Sequence, residues 1–312
     1  MASSSTNYRV IYIASASRSG STVFARDMGE ANLGFPLGEV VNVPKRLGVD
    51  AESCGCGNVL EKCNYWSAVF RDAGIDQKAL EALVECRPLV FQVRHVLHYL
   101  VSSERGVCLG QQYFSILRSL YNSLAKHSPS STLVDASKTP TYAIVLSRFL
   151  KLDLWLVHLV RDPRAVVYSQ LTPKKWKDRN GIEREIRPTK LVVSAIRWVR
   201  WNFFIECLRL TIPKSRRIRV RYEDFTRDTS VERKRLVAFG LVPDTDLSAR
   251  GQHHIAAGNP SRFENRQIEF DGRYIENLTA QQWLLTTFIT WPLLLWYSIP
   301  ITRRGVKRLV LD

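Results

Sequence analysis

The chain has no hydrophobic run long enough to cross a membrane, no regular disulfide framework, and no evident repeat or low-complexity segment. Its one membrane candidate, Trp283 to Ile299, is 17 residues long, carries Thr286, Thr287, Thr290 and Pro292, and has basic residues only after it. A spanning helix needs about 20 apolar residues, so a buried or interfacial helix is expected, with peripheral membrane contact left open. No signal peptide is expected before the first strand, because residues 1–7 are polar and Val10 already begins it. A soluble, cytoplasmic protein is therefore expected. The six cysteines include three close together (54, 56 and 63), but the paired Cys-x-x-Cys spacing is missing. Acidic residues are scarce. There are 29 against 45 Lys and Arg, a net charge of +16, which suits an anionic ligand, a nucleic acid or an acidic surface without choosing among them.

What the chain does have is an ordinary globular composition, 45% hydrophobic and 24% charged over 312 residues, with ample length for a core. One domain is expected over 1–312. Within it, residues 1–7 are expected to be a flexible N-terminus, 40–70 a Cys-containing insertion, 172–188 a lid loop, and 278–312 a C-terminal helical segment.

The most informative stretch runs from Val10 to Thr22. A β-branched apolar run ends in Ser15-Ala16-Ser17-Arg18-Ser19-Gly20-Ser21-Thr22, and a helix-forming segment follows. Strand, small-residue turn, helix is the build of a phosphate cradle: Gly20 allows close backbone approach, and free N–H groups at the helix start point at the anion. Ser21 and Thr22 can cap the helix, and Arg18 supplies a permanently charged fork. The loop is not that of an NTPase, because no Lys follows Gly20.

Further along, residues 34–38 read as a turn and 44–66 as an irregular excursion. Residues 76–86 and 111–126 read as helices, while 89–93 and 107–109 are too short to assign. Residues 131–138 read as a strand and 141–150 as a helix. Residues 154–160 form an apolar strand broken only by His158, as expected in a parallel sheet covered on both faces. Asp162 and Pro163 then start a helix over 163–171. A basic loop at 172–187, a long helix at 189–211, a strand at 218–222 and a further helix complete the pattern. The alternation predicts an α/β fold with a mainly parallel sheet flanked by helices. In such sheets ligands sit at the carboxyl ends of strands. The polar groups at Ser15–Thr22, Asp135–Lys138 and Arg161–Asp162 all fall there.

Arg161 and Ser169, eight residues apart, can share a second phosphate if they fold together. With these motifs in place the sequence resembles the sulfotransferases that use 3′-phosphoadenosine 5′-phosphosulfate (PAPS). The resemblance rests on Ser17 to Thr22 as the 5′-phosphosulfate loop and on Leu159 to Arg164 with Ser169 as the 3′-phosphate element. It also rests on Val134 to Lys138, Arg221 to Phe225, and His254 through Gly258-Asn259-Pro260-Ser261-Arg262-Phe263, in family order. Cys54-Gly55-Cys56-Gly57 with Cys63 and Trp66 resembles an insertion of bacterial and carbohydrate-type members.

The resemblance implies a P-loop-like three-layer fold, PAPS as donor, adenosine 3′,5′-bisphosphate (PAP) as product, and a small-molecule or carbohydrate acceptor. It implies that Arg18, Ser19, Gly20, Ser21 and Thr22 hold the 5′-phosphosulfate and that Arg161 and Ser169 hold the 3′-phosphate. Asn259 and Arg262 would close over the nucleotide, and Tyr222 would sit near the adenine or buttress its strand. Arg18 and Lys138 are the cations for charge building in the transition state. Glu39 is the expected general base, its pKa raised if its neighbourhood is apolar, with His95 and His98 as rivals; otherwise it is a capping or salt-bridged residue. His158 is expected in the core, and His253 or His254 beside the nucleotide loop. The three clustered cysteines are expected to be a structural loop with free or paired thiols, zinc held with a fourth ligand being the alternative, and no metal is required for the reaction. A magnesium-dependent phosphotransferase and a nucleic-acid-binding protein are the competing readings. The missing Lys disfavours the first, and the dispersed basic residues disfavour the second.

Overall fold

A computed structural model describes residues 7–47, 53–177, 183–243, 253–259, 263 and 267–311. Five strands lie parallel in one sheet, in the spatial order β2 (Phe35–Gly38), β3 (Thr132–Lys138), β1 (Arg9–Ser15), β4 (Asp153–Val160) and β7 (Arg217–Arg221). β5 (Lys174–Lys177) and β6 (Glu183–Ile186) form a separate antiparallel pair. The helices before β4 are α1 (Ser21–Glu30), α2 (Val43–Arg46), α3 (Asn64–Asp72), α4 (Gln77–Phe91), α5 (Val96–Val101), α6 (Gly110–His127) and α7 (Pro140–Ile144). After it come α8 (Pro163–Leu171), α9 (Leu191–Thr211), α10 (Tyr222–Arg227), α11 (Thr229–Phe239), α12 (Arg273–Asn277), α13 (Ala280–Trp296) and α14 (Arg303–Leu311).

The period of two along β1 divides its side chains between two cores. Val10 and Tyr12 pack with Leu133, Leu154 and Leu156 against Trp66, Leu117, Tyr121 and Ile205. Ile11 and Ile13 pack on the opposite face with Val134, Val157 and Val220 against Phe24, Met28, Phe225 and Leu236. With apolar layers on both faces, every central strand reads as a continuous hydrophobic run, which is why these strands were legible. The result is the expected α/β three-layer arrangement with a parallel central sheet.

Four expectations change. Residues 35–38 are not a turn but the edge strand β2, paired along its length with β3 and bridged on its other side by Ala256 alone among the described residues, so the missing N–H of Pro36 is tolerated. The excursion at 44–66 contains α2 and the start of α3, and the expected lid loop at 172–188 contains the β5–β6 pair. The helix at 76–86 also runs further, to Phe91 across Pro88.

The far end of β4 is fixed by a buried ion pair. Arg164 donates to both carboxylate oxygens of Asp162 at 2.8 Å and to the carbonyls of Pro300 (2.6 Å) and Ile301 (2.7 Å). Its guanidinium lies 4.3 Å from the Trp283 ring centroid. One side chain thus ties the α8 N-terminus to the segment before α14. Arg164→Ala leaves Asp162 buried and unpaired, so urea unfolding should show a loss of about 3–5 kcal/mol.

Candidate active site

All five parallel strands bring a candidate residue to their carboxyl ends: Arg18 after β1, Glu39 after β2, Lys138 at the end of β3, Arg161 after β4 and Tyr222 after β7. The loop after β1 is strained into shape. Arg18 (φ 67°) and Gly20 (φ 85°) are both left-handed. A Cβ on Gly20 would lie 2.0 Å from Cε2 of Tyr222, so only glycine fits both the backbone and the neighbouring ring. Tyr222 therefore buttresses the loop.

Arg161 donates from Nη1 to the Arg18 carbonyl at 3.1 Å, and its guanidinium sits 4.7 Å from the Tyr222 ring centroid. Its own carbonyl accepts from the Trp198 indole at 3.1 Å. Burial, and then the nearby Arg161 cation, pull the Arg18 guanidinium below its ordinary pKa. Nη2 of Arg18 and the hydroxyls of Ser15 and Ser19 are buried without a hydrogen-bond partner. Buried donors in that condition cost about 1–3 kcal/mol each. Together with the start of the ten-residue α1, they fit a bound anion.

A strap over residues 253–259 closes this end. Ala256 pairs with β2, donating to the Leu37 carbonyl (2.9 Å) and accepting from the Glu39 N–H (3.0 Å). The Asn259 N–H then donates to Thr22 Oγ1 at 3.4 Å. Asn259, Thr22 and Glu39 are thereby brought together. Arg262 lies outside the described residues.

Glu39 is largely buried in polar surroundings and is salt-bridged, the alternative weighed for it. Lys138 Nζ donates to one carboxylate oxygen and Asn42 Nδ2 to the other (2.5 Å), and Arg87 holds the Asn42 oxygen at 2.7–3.0 Å. Lys138 is held in a left-handed conformation (φ 71°), and its carbonyl accepts from the Trp201 indole. Glu39, Lys138 and Arg18 line one cavity of about 700 Å³, whose wall also includes Phe91, Arg94, Arg187, Arg197, Arg200 and Trp201. A second cavity of about 460 Å³ is lined by Val23, Arg26, Tyr222 and Phe270.

The remaining candidates sort clearly. Ser169 is half-buried, two turns into α8. His158 is a core residue between Asn202 and Glu206, as expected. His95 and His98 face the backbone carbonyls of Leu89 and Gly106 and do not line the cavity with Glu39. Asp135 is a brace, accepting from the Ser137 N–H and hydroxyl and from the Tyr121 hydroxyl. Ser137 in turn accepts from the Val41 N–H, beside Glu39.

Asn42, Arg87, Arg94, Arg197 and Arg200 had no readable signal, whereas Arg187 lies in the basic loop expected to cover the site. Their neighbours come from segments distant in sequence, although Arg197 and Arg200 do share a helix face at i, i+3.

The profile of the Sulfotransferase family matches residues 10–246, the span that holds the loop, Glu39, Lys138, Arg161 and Tyr222. The chain belongs to the Sulfotransferase family. Among solved structures, the sulfotransferase domain from the Synechococcus PCC 7002 olefin synthase is similar in fold, with TM-score 0.50 and 18% identity. That match covers 94% of this chain and 96% of that one. The sulfotransferase domain from the curacin biosynthetic pathway gives TM-score 0.47 and 19% identity over 92% and 97% of the two chains. No curated protein sequence matches. Membership accounts for the missing NTPase lysine, and the parallel sheet is that of a sulfotransferase.

Burial raises the Asp135 pKa to about 6. Between its unfolded value near 4 and that pKa the folded state holds more protons, so this group's contribution to stability is lost as pH rises through the window. Melting curves should show the fall in wild type, and Asp135→Asn should flatten it.

Proposed function

We propose that the protein transfers the sulfuryl group of PAPS to a hydroxyl of a small-molecule or carbohydrate acceptor, with Glu39 as general base. The observation that carries this reading is the set of unpartnered donors on Arg18, Ser15 and Ser19. They lie at the same strand ends as Glu39 and Lys138, beside a single cavity.

In this reading Arg18, Ser19, Gly20, Ser21 and Thr22 hold the 5′-phosphosulfate, and Arg161 with Ser169 holds the 3′-phosphate. Asn259 closes on Thr22, and the adenine occupies the smaller cavity beside Tyr222. In-line transfer builds negative charge on the bridging oxygen. Arg18, Lys138 and the α1 N–H groups supply the opposing dipoles and charge, each such donor contributing about 3 kcal/mol. Glu39 takes the acceptor proton. No metal is needed for these steps.

The acceptor enters the larger cavity. Its cations, Arg94, Arg187, Arg197 and Arg200, stand beside Phe91 and Trp201, which suits an acceptor with an acidic group next to an apolar or ring portion. A screen with labelled PAPS should favour acidic members of otherwise matched acceptor pairs.

Calorimetry with PAP, beside ATP-magnesium, tests the donor site. Tight PAP binding, weak ATP binding and loss of PAP binding in Arg161→Ala are expected. Absence of PAP binding in wild type overturns the proposal. Glu39→Gln should keep PAP affinity while lowering kcat on the acceptor found by about 10²–10⁴-fold. Near-normal turnover in that variant removes Glu39 as the base.

A further inference from the structure

The loop carrying the clustered cysteines meets the strap over the active site, and the fourth group there comes from far along the chain. The Sγ atoms of Cys54 and Cys63 are 3.6 Å apart, and those of Cys56 and Cys63 are 3.7 Å apart. Nδ1 of His254 lies 3.2 Å from the Cys63 sulfur and 3.8 Å from the Cys54 sulfur. All four ligand atoms lie within 4.8 Å of one another. Zinc–sulfur bonds of about 2.3 Å and zinc–nitrogen bonds of about 2.0–2.1 Å at tetrahedral angles require separations near 3.8 and 3.6 Å. The sulfur–nitrogen spacings bracket the second value and the two sulfur–sulfur spacings fall just short of the first, whereas a disulfide would bring two sulfurs to about 2.05 Å.

We propose that Cys54, Cys56, Cys63 and His254 bind one structural zinc ion, which locks the cysteine loop to the strap that covers the active site. The surroundings are built for it. The N–H groups of Cys56 and Trp66 face the sulfurs of Cys54 and Cys63, as outer-shell donors to metal thiolates do. The His254 ring is stacked on Tyr65, with centroids 5.1 Å apart, and its carbonyl accepts from the Trp66 indole at 2.9 Å. Gly55 N–H donates to the Ile255 carbonyl at 3.0 Å, so the two segments are already paired beside the cluster. Three cysteines and one histidine fill a tetrahedral zinc, leaving no position for substrate; the role is structural. This replaces the thiol loop expected from spacing, because the missing ligand lies 191 residues beyond Cys63.

Metal analysis of protein purified without chelator should return one zinc per chain, falling to background in Cys63→Ser and His254→Ala. Cobalt added to reduced, metal-stripped wild type should give a thiolate-to-cobalt charge-transfer band. Chelation should lower the melting temperature of the wild-type protein. Background metal in wild type together with no cobalt–thiolate band overturns the site. So does a disulfide between any two of the three cysteines in protein alkylated on isolation.

A separate observation concerns α13, which is turned inside out. Its buried face carries Thr286, Thr287 and Thr290, and the hydroxyls of Thr286 and Thr287 are buried without hydrogen-bond partners. Its outward face presents Leu284, Leu285, Phe288, Trp291, Leu295 and Trp296, exposed by 40–76%. Arg303, Arg304, Lys307 and Arg308 follow in α14, on a chain of net charge +16. We infer that this face lies on an anionic lipid surface. Apolar and tryptophan side chains enter the interface while the basic helix meets the headgroups.

Sedimentation with phosphatidylserine-containing vesicles should carry down the wild-type protein. Phe288→Asp with Trp291→Asp should abolish this while leaving the folded circular-dichroism spectrum unchanged. No vesicle binding at low salt overturns the inference, as does a dimer that the same pair of substitutions dissociates.

Discussion

The arrangement at the strand ends depends on one contact, the packing of Tyr222 against Gly20 with the Arg161 guanidinium beside the ring. The ring fills the place where any other residue would carry a Cβ, and the guanidinium is then aimed at the Arg18 carbonyl. This sets two like charges, Arg18 and Arg161, close together on a buried loop. In water such a pair separates. Here the backbone holds it, at the cost of unpartnered donors that an anion satisfies. The left-handed Arg18 and Gly20 and the unpartnered donors of Arg18, Ser15 and Ser19 meet in this one loop.

The surroundings of Glu39 are organised differently. Glu39 follows an edge strand only four residues long and is held by Lys138 from β3, Asn42 three residues on and Ala256 from the strap, while Arg87 from α4 holds Asn42 in turn. The strap joins the two halves, since it adds to β2 at Ala256 and reaches Thr22 three residues later. A metal centre at His254 would fix the strap's near end. The loop after β1, Glu39 and the cysteine cluster are thereby linked through the strap.

The lipid-facing helix α13 packs against α8 and α9, and α9 carries Arg197 and Arg200 into the larger cavity. An interface at α13 would thus border the elements that shape the acceptor site. That arrangement suits an acceptor that is itself charged and partly apolar, the chemistry the cavity lining favours.

Much of this was legible along the chain because it is local. The run Val10 to Ser15, the small-residue turn and the following helix needed only propensity and period. The apolar run of β4 announced a sheet covered on both faces, since burial on both sides removes alternation. What failed was also informative. Residues 35–38 read as a turn because Gly34, Pro36 and Gly38 are turn residues, yet an edge strand needs N–H groups on one side only. Sequence alone determined the fold class, the anion loop and Glu39 as a candidate. Tertiary structure decided the polar surroundings of Glu39, the role of Tyr222 and the joining of His254 to the three cysteines. Each of those depends on contacts between segments far apart in the chain, and local residue pattern carries no record of which distant side chain will arrive.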